Sequence, residues 1–516
     1  MTVNINPNGG TAPSSKAAQP LYEAKKRVFA KKVEGRFRNF KWLVLALTLG
    51  AYFITPWLRW DRGEYAPDQG VLLDLAARRF YFFPIEIWPQ EFYYVAGLLV
   101  MAGFGLFLVT SAVGRAWCGY TCPQTVWVDL FIAIERFFQG DRNARMKLDS
   151  STWSLNKTWR IAATHATWLL ISVATGMGWI FYFGDAPVVA KNFFTGDLPF
   201  VAYGTVLTLT ATTYIFGGLL REQVCIYMCP WPRIQAAMLD EKSLVVTYND
   251  WRGEPRTRGA KKAAAAGLPV GDCVDCNACV AVCPMGIDIR DGQQLGCITC
   301  ALCIDACDNV MDKVGKERGL IAYATLEEYE SNMSLATSGG QTGIQPQNVR
   351  KPDGSFSDRV RHFDWRIIFR PRTLLYIGAW SAVGLAMLFV LVTRDRLNIN
   401  VLHDRNPQYV MESDGSIRNG YTVRILNMVP QPRTVRLSIE GLPRAAMKIN
   451  GYPDTRAQAY DIPVKPDEAN ALKVFVTLPK DDVNSPAEEF RFSIVDPESG
   501  EHTTYKAVFN GPSVRK

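Results

Sequence analysis

Cys273-Val-Asp-Cys276-Asn-Ala-Cys279-Val-Ala-Val-Cys283-Pro284 is followed, after a short loop, by Cys297-Ile-Thr-Cys300-Ala-Leu-Cys303-Ile-Asp-Ala-Cys307-Asp308. Both runs space their cysteines C-x2-C-x2-C-x3-C, and the first ends in proline. Three thiolates this close together can wrap one 4Fe-4S cubane corner by corner, and the fourth ligand must come from elsewhere. Where two such runs are paired, the fourth cysteine of each serves the other cluster. The spacing therefore assigns Cys273, Cys276, Cys279 and Cys307 to one cluster, and Cys297, Cys300, Cys303 and Cys283 to a second. Zinc sites instead draw four ligands from two spaced pairs. Asp308 replaces the usual proline, which affects the local turn and not the ligation.

The whole chain has twelve cysteines, none after Cys307. Disulfide-stapled domains distribute their cysteines, whereas tight clusters point to metal or redox chemistry in a reducing compartment. The remaining four form an internal repeat, Cys118-Gly-Tyr-Thr-Cys122-Pro123 and Cys225-Ile-Tyr-Met-Cys229-Pro230, both reading C-x-Y-x-C-P. Proline biases the residue before it away from helix and favours the first helical position. Cys122 and Cys229 are thus expected at helix N-termini, where the dipole favours thiolate. Thiolates are soft ligands suited to Cu(I), so Cys118, Cys122, Cys225 and Cys229 are candidate copper and redox residues. Inert cysteines are the plain alternative, but four thiols recur in matched positions.

Outward from these motifs, five charge-free apolar stretches are long enough to span a bilayer: Trp42–Leu58, Phe92–Val113, Ile161–Phe183, Phe200–Leu220 and Leu374–Val392. Lys and Arg number nine in residues 1–41, four (against five acids) in 59–90, seven in 114–160 and one in 184–198. This alternation puts the N-terminus, the 114–160 loop and the cysteine block inside, and residues 394–516 outside. The +8 net charge thus reads as membrane orientation and not nucleic-acid binding. No cleavable signal peptide is evident, and residues 1–20 read as disordered. The tail alternates as strands do, in YTVRILNMV, TVRLSIEG, LKVFVTL, EFRFSIV and TTYKAVF, with Asn419-Gly420 and Asn450-Gly451 as turn signals.

The expected architecture is a membrane α-helical protein of five transmembrane helices, with an inserted two-cluster bacterial ferredoxin-like module and a C-terminal Ig-like β-sandwich. Its parts are a cytoplasmic tail (1–41), a four-helix membrane domain with both C-x-Y-x-C-P motifs (42–240), a cytoplasmic 2x 4Fe-4S ferredoxin-like domain with linkers (241–372), a fifth transmembrane helix (373–393) and a periplasmic domain (394–516). His165 lies inside the third span. The other histidines (His362, His403, His502) lie outside the spans, so bis-histidine haem is unsupported, and a structural or proton-handling role is expected. Met177 and Met228 are read as packing, and Trp57, Trp60 and Trp179 as interface anchors. No GxGxxG or Walker motif supports a nicotinamide, flavin or nucleotide site.

The order of motifs, together with HDRNPQYVMESDGSIRNGYTVRILN at 403–427, resembles the FixG/CcoG/RdxA family over nearly the whole chain beyond residue 20. These are polyferredoxin-like accessory proteins of the cbb-type cytochrome c oxidase. The resemblance implies a cupric reductase that supplies Cu(I) for assembly of that oxidase, and an Ig-like periplasmic tail. Implied cofactors are two 4Fe-4S clusters, with copper ion as substrate. Implied partners are the membrane, oxidase assembly factors or copper chaperones, and a cytoplasmic electron donor. The implied location is the bacterial inner membrane. A quinol-linked electron conduit, as in proteins with similar Cys-Pro motifs, and a non-catalytic redox-sensing scaffold are the alternatives.

Overall fold

The computed structural model describes residues 27–267, 269–338, 344–361, 369–453, 456–466, 469–483 and 485–512. His362 lies outside the described residues. Among them, five helices are long and apolar enough to cross a membrane. They run Arg36–Ile54, extended by a 3-10 turn at Thr55–Trp57, then Tyr93–Val113, Leu155–Ile180, Phe200–Thr213, continued by a π-helical stretch at Tyr214–Leu220, and Pro371–Thr393. The fifth leaves Leu375, Leu385, Phe389 and Val392 more than half exposed, an apolar surface too extensive to face water.

Three helices start earlier than their apolar runs, the fifth by only three residues, at Pro371 and not Leu374. The first begins at Arg36, not Trp42, because its basic first turns find acidic partners. Asp305 accepts the amides of Phe37 (3.3 Å) and Arg38 (2.8 Å), and buried Asp129 pairs with Arg38 (2.9 Å) and Lys41 (3.3 Å). The third begins at Leu155, not Ile161. Ser154 caps it through the Lys157 amide, and the Lys157 ammonium donates to the carbonyls of Asp149 and Ser151.

Side-chain ties sort the helix ends into two groups. Arg370, at the start of the fifth helix, reaches Ser111 near the end of the second; the cysteine-rich module holds the start of the first. At the opposite ends, Arg394 pairs with Glu91 (2.8 Å) and the Tyr182 hydroxyl donates to the Tyr52 carbonyl (2.9 Å). A three-stranded sheet (Val71–Asp74, Arg79–Phe82, Ile85–Ile87) that the sequence reading did not foresee lies between the first two long helices.

The cysteine-rich module is bracketed by a two-stranded antiparallel sheet, Val245–Tyr248 with Ile321–Ala324. The tail is two stacked antiparallel sheets. One orders Ala446–Ile449, Ala469–Leu478, Ile417–Asn427 and Leu397–His403, and the other Ala459–Val464, Arg433–Glu440, Ala487–Val495 and His502–Asn510. Alternate residues such as Tyr421, Val423, Val435, Val474, Phe492 and Ile494 are fully buried between them. Asn450-Gly451 is a turn, with Gly451 at φ 88°. Asn419-Gly420 is not. It lies inside a strand, opposite Val476 and Phe475. There the glycine admits the Asp404 carboxylate, which a Cβ would strike at 2.3 Å, while Asn419 bonds His403 and Asn510 across the core.

Candidate functional site

Each cysteine run is a bent loop entering a short helix. Ala278–Val282 follows Asn277 and Leu302–Val314 follows Ala301, both residues left-handed. Two more matched non-glycine residues have positive φ, Asp275 (51°) and Thr299 (56°). Each run thus repeats one strained bend before and one after its second cysteine. Such conformations cost on the order of 1–3 kcal/mol each and persist where the surroundings over-determine them.

The bends turn the thiols into two cavities. Cys273, Cys276, Cys279 and Cys307 line one, with Tyr248, Met311 and Ile321 among its walls. Cys283, Cys297, Cys300 and Cys303 line the other, along with Cys279, Met285 and Ile298. The first cavity thus gathers the four cysteines the spacing groups together, and the second gathers the other four with Cys279 besides. Burial raises the thiols of Cys279 to about 11 and of Cys283 and Cys307 to about 12, and moves Cys303 well above its ordinary value. Among the described residues no three His, Cys, Asp or Glu side chains converge on a point fit for one ion. Thiols spread around an apolar cavity fit a polynuclear cluster. Cys276 is exposed, whereas Cys273, Cys279, Cys300 and Cys307 are buried.

The C-x-Y-x-C-P motifs lie against the second cavity. Cys118 is buried in one apolar cluster with Met285, Ile298 and Cys300, against which Cys225, Cys283 and Cys303 pack. Gly119 makes that approach feasible, since a Cβ there would meet the Ile298 carbonyl at 2.7 Å and Cys300 backbone at 3.1 Å. The Tyr120 hydroxyl donates to the Cys300 carbonyl (3.2 Å), the Tyr323 hydroxyl to the Thr299 carbonyl (2.9 Å), and Arg115 to the Leu295 carbonyl (2.8 Å).

The repeat is real in the backbone as well. Four residues before each first cysteine the chain takes the same sharp turn, Gly114 at φ 62°, ψ −132° and Arg221 at φ 43°, ψ −110°. The copies then diverge. Cys118 sits in a helical turn (Ala116–Tyr120) and Cys225 in a π-helical one (Val224–Met228). Cys122 is the N-cap of Pro123–Gln139 as expected. Cys229 stands one residue further out, because Pro230 is itself the cap of Trp231–Met238. Burial is the main cause that raises Cys118 to about 12 and Cys225 to about 11, with the neighbouring thiols of the set adding to it. Both are therefore neutral thiols near neutral pH. The Cys118 thiol donates to Gln235 Oε1 (2.9 Å), whose amide donates to Thr110 (3.1 Å). Buried Gln235 gave no sequence signal. Tyr120 was visible as the shared tyrosine, yet its counterpart Tyr227 is exposed.

His165 pairs through Nδ1 with the Tyr214 hydroxyl (2.8 Å). Met177 packs beside Ile180 and Phe181, Met228 is exposed, and Trp57, Trp60 and Trp179 are each partly exposed.

Taken together, the two four-thiol cavities, the five apolar helices and the terminal sandwich define an iron–sulfur electron-transfer protein of the oxidoreductase class. Residues 220–326 match a 4Fe-4S dicluster domain, residues 95–141 a 4Fe-4S binding domain, and residues 387–512 the Ig-like fold at the C-terminus of FixG. The chain is 66 % identical over 502 residues to nitrogen fixation protein FixG of Rhizobium meliloti (strain 1021), covering 97 % of this chain and 96 % of that protein. It is 49 % identical to protein RdxB and 45 % identical to protein RdxA of Cereibacter sphaeroides, covering 97 % and 96 % of this chain and 99 % of each relative. A crystal structure of a FixG-related protein from Vibrio parahaemolyticus aligns with 22 % of this chain and 96 % of its own at 22 % identity and TM-score 0.20, too low to add to the argument. The chain belongs to the FixG/RdxA family.

Proposed function

We propose that this protein is a multi-pass inner-membrane cupric reductase serving assembly of the cbb-type cytochrome c oxidase, with oxidase assembly factors or copper chaperones as partners. Its cysteine module faces the cytoplasm and its β-sandwich the periplasm. The observation that carries the reading is the packing of Cys118 and Cys225 against Cys283, Cys300 and Cys303. Cys273, Cys276, Cys279 and Cys307 would hold one 4Fe-4S cluster, and Cys283, Cys297, Cys300 and Cys303 the other. Bound there, these groups supply one-electron carriers. Exposed Cys276 marks the side open to a cytoplasmic donor. Gly119, Tyr120 and Arg115 hold the Cys-Pro motif against the second set. Cys118, Cys122, Cys225 and Cys229 take the copper substrate, and each Cu(II) gains one electron to become Cu(I), the state soft thiolates favour.

The test is the double substitution Cys122→Ser/Cys229→Ser in the full chain, handled anaerobically. Iron should stay near eight per chain and Cu(II) reduction should collapse. Full copper reduction in that variant would remove these thiols from the mechanism. The match of residues 95–141 to a 4Fe-4S binding domain favours a second reading, in which the four thiols hold a third cluster. Iron would then be about twelve per chain in the parent and about eight in the variant.

A further inference from the structure

A large pocket separate from the two cysteine cavities lies where Pro123–Gln139, the start of Leu155–Ile180 and the π-helical stretch Tyr214–Leu220 meet. It measures about 430 Å3, within the roughly 300–1,000 Å3 of small-molecule sites. Arg145, Arg221, Glu135, His165, Trp168 and Leu219 are among its walls.

Several independent features converge on it. Arg145 is 1 % exposed, yet its Nε is buried with no hydrogen-bond partner. Arg221 keeps the turn that its counterpart Gly114 makes without a side chain; its guanidinium donates to Glu135 (3.0 Å) and the Gly218 carbonyl (2.8 Å) and lies over Trp168. Strained non-glycine backbone and π-helical segments both concentrate at functional sites. His165 has Nδ1 engaged by Tyr214, which leaves Nε2 as the ring nitrogen for a ligand. One wall, Leu219, is partly exposed on the apolar flank. Arg221 and Glu222 also wall the neighbouring cavity that holds Cys225, and Met285 and Ile298 are shared between that cavity and the one lined by Cys283, Cys297, Cys300 and Cys303.

Donors on an aromatic wall, an apolar exit and contiguity with a redox centre describe one ligand chemistry. We infer that this cavity binds the headgroup of a lipid-soluble quinone, its carbonyl oxygens accepting from His165 and Arg145. Resting on the electron-transfer reading above, the ligand enters as quinol. Two O–H bonds break, two protons leave to water, and two electrons pass singly to the carriers of the two cysteine sets, leaving quinone. An anionic lipid headgroup is the competing occupant, and the three arginines Arg27, Arg145 and Arg221 face three acids, Glu135, Asp149 and Glu222, a balance that suits a neutral ligand better.

The experiment uses the full, iron-loaded chain in neutral-lipid nanodiscs, with decylubiquinone and its quinol as probes. Oxidised protein should bind the quinone saturably, and the quinol should bleach the iron–sulfur absorbance anaerobically. His165→Leu and Arg145→Gln should each weaken binding and slow bleaching at least tenfold, with iron content, dithionite bleaching and Cu(II) reduction by dithionite-reduced protein unchanged. Loss of copper reduction with quinol bleaching intact would sink the copper reading alone and support this one. Absence of quinone binding in the parent, equal binding in both variants, or displacement of the quinone by anionic lipid would overturn the inference.

Discussion

At the residue scale, the contact between the Cys-Pro motif and the second cysteine set depends on one missing methyl group. Gly119→Val would drive its side chain into the Ile298 carbonyl and Cys300 backbone, an overpacking of about 1–3 kcal/mol. The expected outcome is selective damage: iron per chain falling from about eight towards four while the helices stay inserted. Iron analysis and circular dichroism on one preparation check it. The sequence displayed all eight paired-run cysteines and their grouping, because the C-x2-C-x2-C-x3-C spacing is set by the geometry of the group it wraps. It could not display Gln235 behind Cys118 or the packing of Gly119, since those contacts join residues far apart in the chain and leave no local periodicity.

At the element scale, the first long helix is held by a distant carboxylate. Asp305 sits between two cysteines of the second run and accepts the Phe37 and Arg38 amides, the role a local cap usually fills. Asp305→Ala should lower stability by about 1–2 kcal/mol, read as the unfolding midpoint of the detergent-solubilised chain, with Asp305→Asn recovering much of it. The fifth helix has a matching acidic anchor. Asp240 accepts from Arg370 (2.6 Å) and Arg372 (2.8 Å). Burial works to raise its carboxyl, but Ser243, Arg370 and Arg372 prevail and hold it at about 2, below the ordinary 3.8. A lowered folded value means the stabilisation is present above 3.8 and lost as pH falls from there towards 2. Thermal midpoints measured across that window should fall more steeply for the parent than for Asp240→Asn; parallel curves would dismiss the anchor. Apolar length located all five long helices, but not the early starts at Arg36 and Leu155. Charged first turns look like flanks until Asp129, Asp305 and the Asp149 and Ser151 carbonyls are seen to receive them.

At the scale of the whole molecule, the two groups of helix ends put the cysteine module at one end and the β-sandwich at the other. A reporter fused after Lys516 should be active outside the cytoplasm and one inserted near Gly267 inside; both on one side would refute the orientation. The sandwich has a core of its own and no cysteine, so Ile494→Ala, at a fully buried site, should cost about 2–5 kcal/mol in denaturant unfolding of the tail without loss of iron. Strand alternation made the sandwich legible. The misplaced turn at Asn419-Gly420 shows the limit of such reading, because a turn-forming dipeptide joins a strand when its asparagine has partners across the core. The central claim is that Cu(II) held by the four Cys-Pro thiols would receive electrons from the cluster that the adjoining cysteine set would hold. It is tested most directly by reducing the full chain, removing the reductant, and counting Cu(I) formed anaerobically from added Cu(II). The account predicts about two Cu(I) per chain from the parent, and almost none from the chain with Cys118, Cys122, Cys225 and Cys229 all replaced by serine and its iron retained. An equal yield from both would contradict it.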